Sequence, residues 1–167
     1  MLVANNKTKP FIKWVGGKRQ LLPELLSRLP AKYRTFHEPF IGGGALFFEL
    51  SNNKNNLKSY LSDKNSELIN VYKVIKDNVE KLIKILHVFP HNEKFFYQLR
   101  EKDICKLSSL ENAARFIYLN KTGYNGLYRV NKHGKFNVPY GKYKNPNYCD
   151  EENLRACSKA LANSEVF

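Results

Sequence analysis

Cysteine is scarce in this chain of 167 residues: Cys105, Cys149 and Cys157 are odd in number and show no Cys-x-x-Cys spacing. That pattern excludes a disulfide framework and a zinc cage, and leaves reduced structural thiols. Long hydrophobic runs are missing too; none approaches the roughly 20 apolar residues of a membrane span. The opening MLVANNKTKP holds no extended apolar core of a secretory signal, so a cytoplasmic protein is expected. Repeats and low-complexity tracts are lacking as well. The most telling absence is local. From Asn112 to Cys149 there is not one Asp or Glu.

Positive charge takes its place. Lys and Arg number 28 against 15 Asp and Glu, a net of +13. Such an excess favours polyanions, with nucleic acid first and an anionic membrane surface second. The carboxylate-free span carries Arg115, Lys121, Arg129, Lys132, Lys135, Lys142 and Lys144, interleaved with Phe116, Tyr118, Tyr124, Tyr128, Phe136, Tyr140, Tyr143 and Tyr148. Cations suit phosphates and flat rings suit bases. The alternative is a solvated basic face over an aromatic core, and it claims Phe116 and Tyr118, which fall mid-helix.

The apolar periodicity orders the rest. Leu21, Leu22, Leu25, Leu26 and Leu29 share a helical face that Pro30 ends. TFHEPFI reads as a short buried strand and ALFFELS as the helix after it. LKSYLSD is the next strand, with Asp63 at its C-terminal end, and ELINVYKVIKD the next helix. This β-α-β-α alternation predicts an α/β fold with an open, mostly parallel sheet. From about Asn78 helical segments follow, around Val79 to Leu86, Glu93 to Lys106 and Glu111 to Thr122. The last opens with Ser108 three residues before Glu111, a capping-box spacing, and Gly123 stops it. GLYRVNKHGKFNVPYGKYKNP predicts a hairpin turning near Lys132 to Gly134, with Phe136, Val138 and Tyr140 on one side. Asp150 caps a helix through Leu161, and SEVF begins a strand.

The segment EPFIGGGALFFEL places three glycines between strand and helix. Glycines let a backbone approach a ligand, and the helix N-terminus offers unpaired N–H groups. An acidic residue closing the next strand, about 20 residues on, suits a ribose hydroxyl pair, and Asp63 fits that spacing. A tight turn without a ligand is the competing reading. Phe47 stands where a dinucleotide loop has its third glycine, which disfavours NAD, and VGGK lacks the earlier glycine of a P-loop. An adenosine ligand without a pyrophosphate remains, S-adenosylmethionine being the commonest.

PFIKWVGGKR, EPFIGGGALFFEL, SDKN, NKTGYNGLYRVN and GKFNVPYGKYKNP together resemble the DNA adenine methylase (Dam) family, in the family's order, from Pro10 to Phe167. The resemblance implies a Rossmann-like methyltransferase sheet, incomplete here, with an inserted, mostly helical DNA-recognition subdomain carrying the hairpin. It divides the chain into residues 1–76 for the cofactor, 77–148 for target recognition and 149–167 returning to the methyltransferase domain. It implies S-adenosylmethionine as cofactor, N6 of adenine in double-stranded DNA as target, and contacts to the cofactor from Trp14, Lys18, Glu38, Phe40, Gly42, Gly44 and Asp63. Trp14 can instead be core. His37 reads as a loop histidine with no catalytic part.

The resemblance also assigns DNA contacts. Tyr124, with Asn125 beside it, fills the gap left by an extruded adenine, which must leave the stack before its amino group can react. Arg129 matches a position that forks to guanine O6 and N7, which makes GATC the expected target. Leu127, Pro139 and Tyr143 match further contacts. Lys142 stands where the pattern often has Arg, keeping the phosphate charge but losing the planar fork.

One family motif is missing. Members carry Asp-Pro-Pro-Tyr, whose acceptors draw the lone pair of the adenine amine toward the methyl group; this sequence has none. NVPY and NPNY resemble it but fall in the DNA-reading region. The expectation is therefore an N-terminal portion of a longer methylase with little transfer activity alone and no catalytic residue or metal of its own. A non-catalytic DNA-binding module derived from a methylase is the alternative.

Overall fold

The computed structural model describes residues 7–54 and 56–167. Among them, β1 (Thr35–Glu38), β2 (Lys58–Leu61) and β3 (Ser164–Val166) form one sheet in the order β1-β2-β3. Both pairings are parallel, with Phe36 beside Ser59 and Ser59 beside Ser164. The helices are α1 (Leu22–Ser27), α2 (Ala45–Asn53), α3 (Ser66–His87), α4 (Glu93–Arg100), α5 (Ser109–Thr122) and α6 (Glu151–Leu161). Parallel neighbours cannot be joined by a tight turn, so α2 carries the chain from β1 to β2, and the whole run from α3 to α6 carries it from β2 to β3.

Each strand alternates between its two faces. Phe36, Glu38, Ser59, Leu61 and Ser164 are buried. Phe36 and Leu61 share one core with Phe47 and Phe48 of α2, Leu68 and Tyr72 of α3 and Leu154 of α6. On the opposite face Thr35, His37, Lys58 and Glu165 stay exposed. There the ring of Tyr60 stacks between His37, at 4.6 Å, and Phe167, at 6.5 Å between centroids. His37 thus lies on a strand and not in a loop, because TFHE pairs in register with KSYL.

Several boundaries differ from the sequence expectation for visible reasons. The first helix is preceded by a 3-10 turn at Lys18–Leu21, and Pro23 fixes the start of α1. Leu21 is left 58% exposed, outside the apolar face. The change of pattern expected at Asn78 is present: Asn78 leaves helical geometry at φ −140° and ψ 31°, so α3 is two helical stretches joined across a kink. Its first half presents Leu68, Val71, Tyr72 and Ile75 inward, and its second half Leu82, Ile83 and Leu86. The predicted helix to Lys106 stops at Arg100, since Asp103 accepts a bond from the Cys105 amide and opens a separate 3-10 turn.

Helix α5 starts as its sequence dictates. Ser108 Oγ accepts from the Glu111 amide at 3.2 Å and Glu111 Oε2 accepts from the Ser108 amide at 2.9 Å. Gly123 ends it, but in extended conformation, φ −76°. Space and not torsion requires glycine there: a Cβ would stand 2.5 Å from the Leu119 carbonyl oxygen. Beyond it the predicted hairpin is an arm held by two antiparallel bridges, Gly123 with Tyr140 and Val130 with Phe136. Pro139 has no amide to donate, so no continuous ladder forms. Phe136 and Val138 do turn inward together. Among the described residues no helix is long and apolar enough to cross a membrane.

Candidate functional site

A cleft of about 230 Å³ opens where β1 runs into the glycine turn, with Trp14, Lys18, Phe40, Gly42, Ala45 and Asp63 among its lining. Gly42 has φ +51°, and a Cβ on it would sit 2.8 Å from Trp14 Cδ1. The absent side chain is what lets the indole lie against the turn. Gly44, φ +74°, stands behind the cleft at the N-cap of α2, where a Cβ would meet the Tyr72 hydroxyl at 2.6 Å.

The turn is pinned from two sides. Asp63, just past β2, accepts the Gly42 amide on Oδ2 at 3.0 Å and the Asn65 amide on Oδ1 at 3.0 Å. From beneath, the Tyr72 hydroxyl donates to the Gly42 carbonyl at 2.9 Å. Burial pushes the Tyr72 phenol well above its ordinary range, so it remains a neutral donor. Each carboxylate oxygen has further acceptor capacity, so Asp63 can hold the turn and still face a ligand.

Lys18 lines the cleft, and Glu38, which does not line it, lies buried behind that side chain. The ammonium lies 2.7 Å from Glu38 Oε1 and 3.0 Å from the Phe40 carbonyl. Glu38 is 4% exposed, and its Oε2 has no hydrogen-bond partner among the described residues. Burial raises its pKa, while the Lys18 ammonium and the Phe47 amide pull the other way. The Phe47 amide, in the first turn of α2, thus offsets part of the cost of burying this carboxylate. Ring, cation and carboxylate together suit a ligand that is flat at one end and zwitterionic at the other.

The second group of expected residues lines the arm. Tyr124 is 53% exposed, and Asn125 beside it holds φ +52°. The Tyr124 amide donates to the Pro139 carbonyl at 2.9 Å, which ties the two limbs together. Arg129 is exposed; its Nε donates to Asn137 Oδ1 at 2.8 Å and its Nη2 to the Asn137 carbonyl at 3.2 Å. Its guanidinium is thus held side-on at the surface. Lys142 is exposed with φ +53°, and Leu127 and Tyr143 are half-buried. The Lys13 ammonium sits 5.2 Å from the centre of the Tyr143 ring.

Not every cation of the carboxylate-free span is available to phosphates. Arg115 is 3% exposed and bonded to Glu67 and to the carbonyls of Leu99 and Arg100. The carboxylate that pairs it comes from α3, far away in sequence, so a local reading of charge misplaces it. Phe116 and Tyr118 are buried, as their mid-helix position implies. Tyr128 joins the packing as well: its ring stacks on Trp14 at 5.3 Å and on Phe116 at 5.2 Å, and its hydroxyl donates to Glu67 at 3.0 Å. Trp14 is therefore both cleft wall and partly core. Sequence reasoning set Tyr72 only on the apolar side of its helix and gave Glu67 and Asn120 no part; Asn120, a polar residue closing the apolar run FIYL, carried a weak local signal.

The chain is similar to known proteins over nearly its whole length. Residues 14–167 match the family described as D12 class N6 adenine-specific DNA methyltransferase. The chain is 47% identical to the Type II methyltransferase M1.LlaDCHI of Lactococcus lactis subsp. cremoris, an alignment covering 99% of this chain and 60% of that protein. It is 41% identical to the Type II methyltransferase M.MjaIII of Methanocaldococcus jannaschii, over 96% of this chain and 62% of that protein. With the DNA adenine methylase of Escherichia coli K12 it shares 37% identity, over 92% and 55% of the two chains. The chain thus spans somewhat over half the length of these relatives. With the match running from the cleft wall at Trp14 to the end of β3, the chain belongs to the D12 class of N6 adenine-specific DNA methyltransferases.

Proposed function

We propose that this chain binds S-adenosylmethionine in the glycine-turn cleft and double-stranded DNA on the Tyr124–Tyr143 arm, for methyl transfer to N6 of adenine in GATC. The observation that carries the reading is the cleft at the glycine turn, walled by Trp14, pinned by Asp63 and edged by Lys18, with the buried carboxylate of Glu38 bonded to Lys18 behind it. Glu38 fits the ammonium and Lys18 the carboxylate of a methionine moiety. Trp14 and Phe40 supply apolar walls, Gly42 the close backbone approach, and Asp63 an acceptor for ribose hydroxyls; Gly44 shapes the turn from behind. Bound there, S-adenosylmethionine supplies an electrophilic methyl group.

On the arm, exposed Tyr124 and Asn125 suit the space vacated by a flipped adenine, and Arg129, braced by Asn137, suits a guanine edge. Leu127, Pro139, Lys142 and Tyr143 flank them. The kink at Asn78 supports a recognition subdomain beginning near residue 77 and returning near 149. The sequence contains no Asp-Pro-Pro-Tyr, which supports a binding role for this chain with no catalytic group of its own. Sinefungin, a non-reactive analogue, will give heat on calorimetric titration, and tritiated S-adenosylmethionine will leave little label in a GATC duplex. Absence of heat would remove the cofactor assignment; heavy labelling of adenine would show that the chain is catalytically complete.

A pH dependence follows from Glu38. Its carboxylate must be ionised to hold an ammonium, and its pKa is raised by burial. Sinefungin affinity should therefore be full above that raised value and begin to fall at a higher pH than an ordinary glutamate would dictate. The ligand-free fold has the opposite sign: it binds more protons than the unfolded chain in that window, so its stability declines as pH rises through it. Glu38→Gln should flatten both profiles. Calorimetry and urea melts across the acid range would check this, and an unchanged binding profile in Glu38→Gln would discard the ammonium contact.

A further inference from the structure

Asn120 lies on the inner side of α5, 1% exposed, with every polar atom of its amide engaged. Its Oδ1 accepts from the Lys13 amide at 2.9 Å. Its Nδ2 donates to the Lys13 carbonyl at 2.9 Å and to the Gly126 carbonyl at 2.9 Å. The donors and acceptors around it fix the orientation of the amide, because two carbonyls need Nδ2 and one amide needs Oδ1. Lys13 immediately precedes Trp14, the wall of the cleft. Gly126 sits within the loop that presents Tyr124 and Arg129. One side chain therefore joins the two segments that the ligand and the duplex are proposed to touch.

The surroundings repeat the connection. Gly126 has φ +64°, and a Cβ there would run into the Lys13 side chain. Trp14 stacks on Tyr128, the neighbour of Arg129, at an interplanar angle of 27°. Between Trp14 and Lys18, by contrast, side-chain packing is sparse: Val15 is 69% exposed, a Cβ on Gly16 would meet nothing within 4 Å, and the Gly17 amide donates to the Trp14 carbonyl at 3.1 Å. A ligand in the cleft would pack against this strap and restrict it, and a duplex on the loop would do so through Lys13. Once one has done so, the other binds an already ordered partner and loses less conformational entropy.

We propose that Asn120 is a positioning residue that makes the cleft wall and the DNA-reading loop one body, so that occupancy of either site strengthens binding at the other. The proposal rests on the cofactor and DNA assignments above. It differs from a purely structural role for a buried amide, which would lower stability without touching the ratio of affinities. Linkage requires the same factor in both directions, which gives an internal check.

Trp14 is the one tryptophan of the chain, so its emission reports the cleft wall directly. Sinefungin is titrated into the whole chain with and without a saturating GATC duplex, and the duplex is titrated with and without sinefungin, by fluorescence and calorimetry. In the unmodified chain each should tighten the other by about fivefold or more. Asn120→Asp, which keeps the acceptor and loses both donors, should bring the factor close to one while sinefungin alone still binds. Gly126→Ala, which forces the loop away from Lys13 and leaves Asn120 in place, should do the same. Retention of the full factor in both variants would overturn the proposal, as would sinefungin binding without coupling in the unmodified chain. Absence of sinefungin binding would overturn the cofactor assignment and this inference with it.

Discussion

Arg115→Ala will lower the free energy of unfolding by about 3–5 kcal/mol, the range typical for removing one partner of a buried ion pair. The guanidinium holds three acceptors at once: Glu67 Oε2 at 3.2 Å, the Leu99 carbonyl at 3.1 Å and the Arg100 carbonyl at 3.1 Å. Side-chain exposure is 4% for Arg115 and 17% for Glu67, so solvent cannot replace the lost bonds. Burial lowers the pKa of Arg115 and the Glu67 carboxylate supports it, the balance expected of a charge held in place by its partner. Glu67 also takes the Tyr128 hydroxyl, so the damage should reach the Trp14–Tyr128 stack. Urea denaturation followed by Trp14 emission would measure both effects. Arg129→Ala, at the exposed arm, should shift the midpoint little; equal behaviour of the two variants would refute the division between a structural and a surface arginine.

Gly42→Ala will weaken sinefungin binding by roughly tenfold to a hundredfold, as expected for overpacking that costs about 1–3 kcal/mol. Two causes act together. The residue holds φ +51°, a conformation that non-glycine residues enter at a cost of about 1 kcal/mol or more. The new methyl would also stand 2.8 Å from Trp14 Cδ1, and the indole is already backed by Tyr128, so it has nowhere to retreat. Gly16→Ala separates the causes, since Gly16 lines the same cleft with φ +75° but nothing within 4 Å of a Cβ. That variant should lose some stability and keep its sinefungin affinity. Calorimetry on the two variants would decide, and equal affinities would mean that the indole does not form the wall of the binding site.

The parts of the fold that were legible from sequence are those governed by neighbours in the chain. The capping box at Ser108 and Glu111, the strand–glycine–helix order and the position of Asp63 all rest on short-range spacing, and all stand where expected. What was hidden depends on contacts between distant segments. Arg115 reads as a surface cation until Glu67 arrives from α3. Gly123 reads as a torsional helix stop, whereas the Leu119 carbonyl excludes a side chain there. The hairpin was visible in its alternation, yet its ladder reduces to two bridges around Pro139. The cleft residues were named through the resemblance, but the lone oxygen of Glu38 emerges only when Lys18 is seen to satisfy one of the pair.

The position of β2 sets the order in which this molecule can assemble. Its left-hand neighbour, β1, lies one short helix away and can pair as soon as both have left the ribosome. Its right-hand neighbour, β3, follows every other described helix, so the second edge of β2 stays open until the last turn of α6 is made. Such distant pairing is slow, and a waiting strand edge invites association with other chains. Slower translation or a holding chaperone should therefore raise the yield of this protein more than lower temperature after synthesis does.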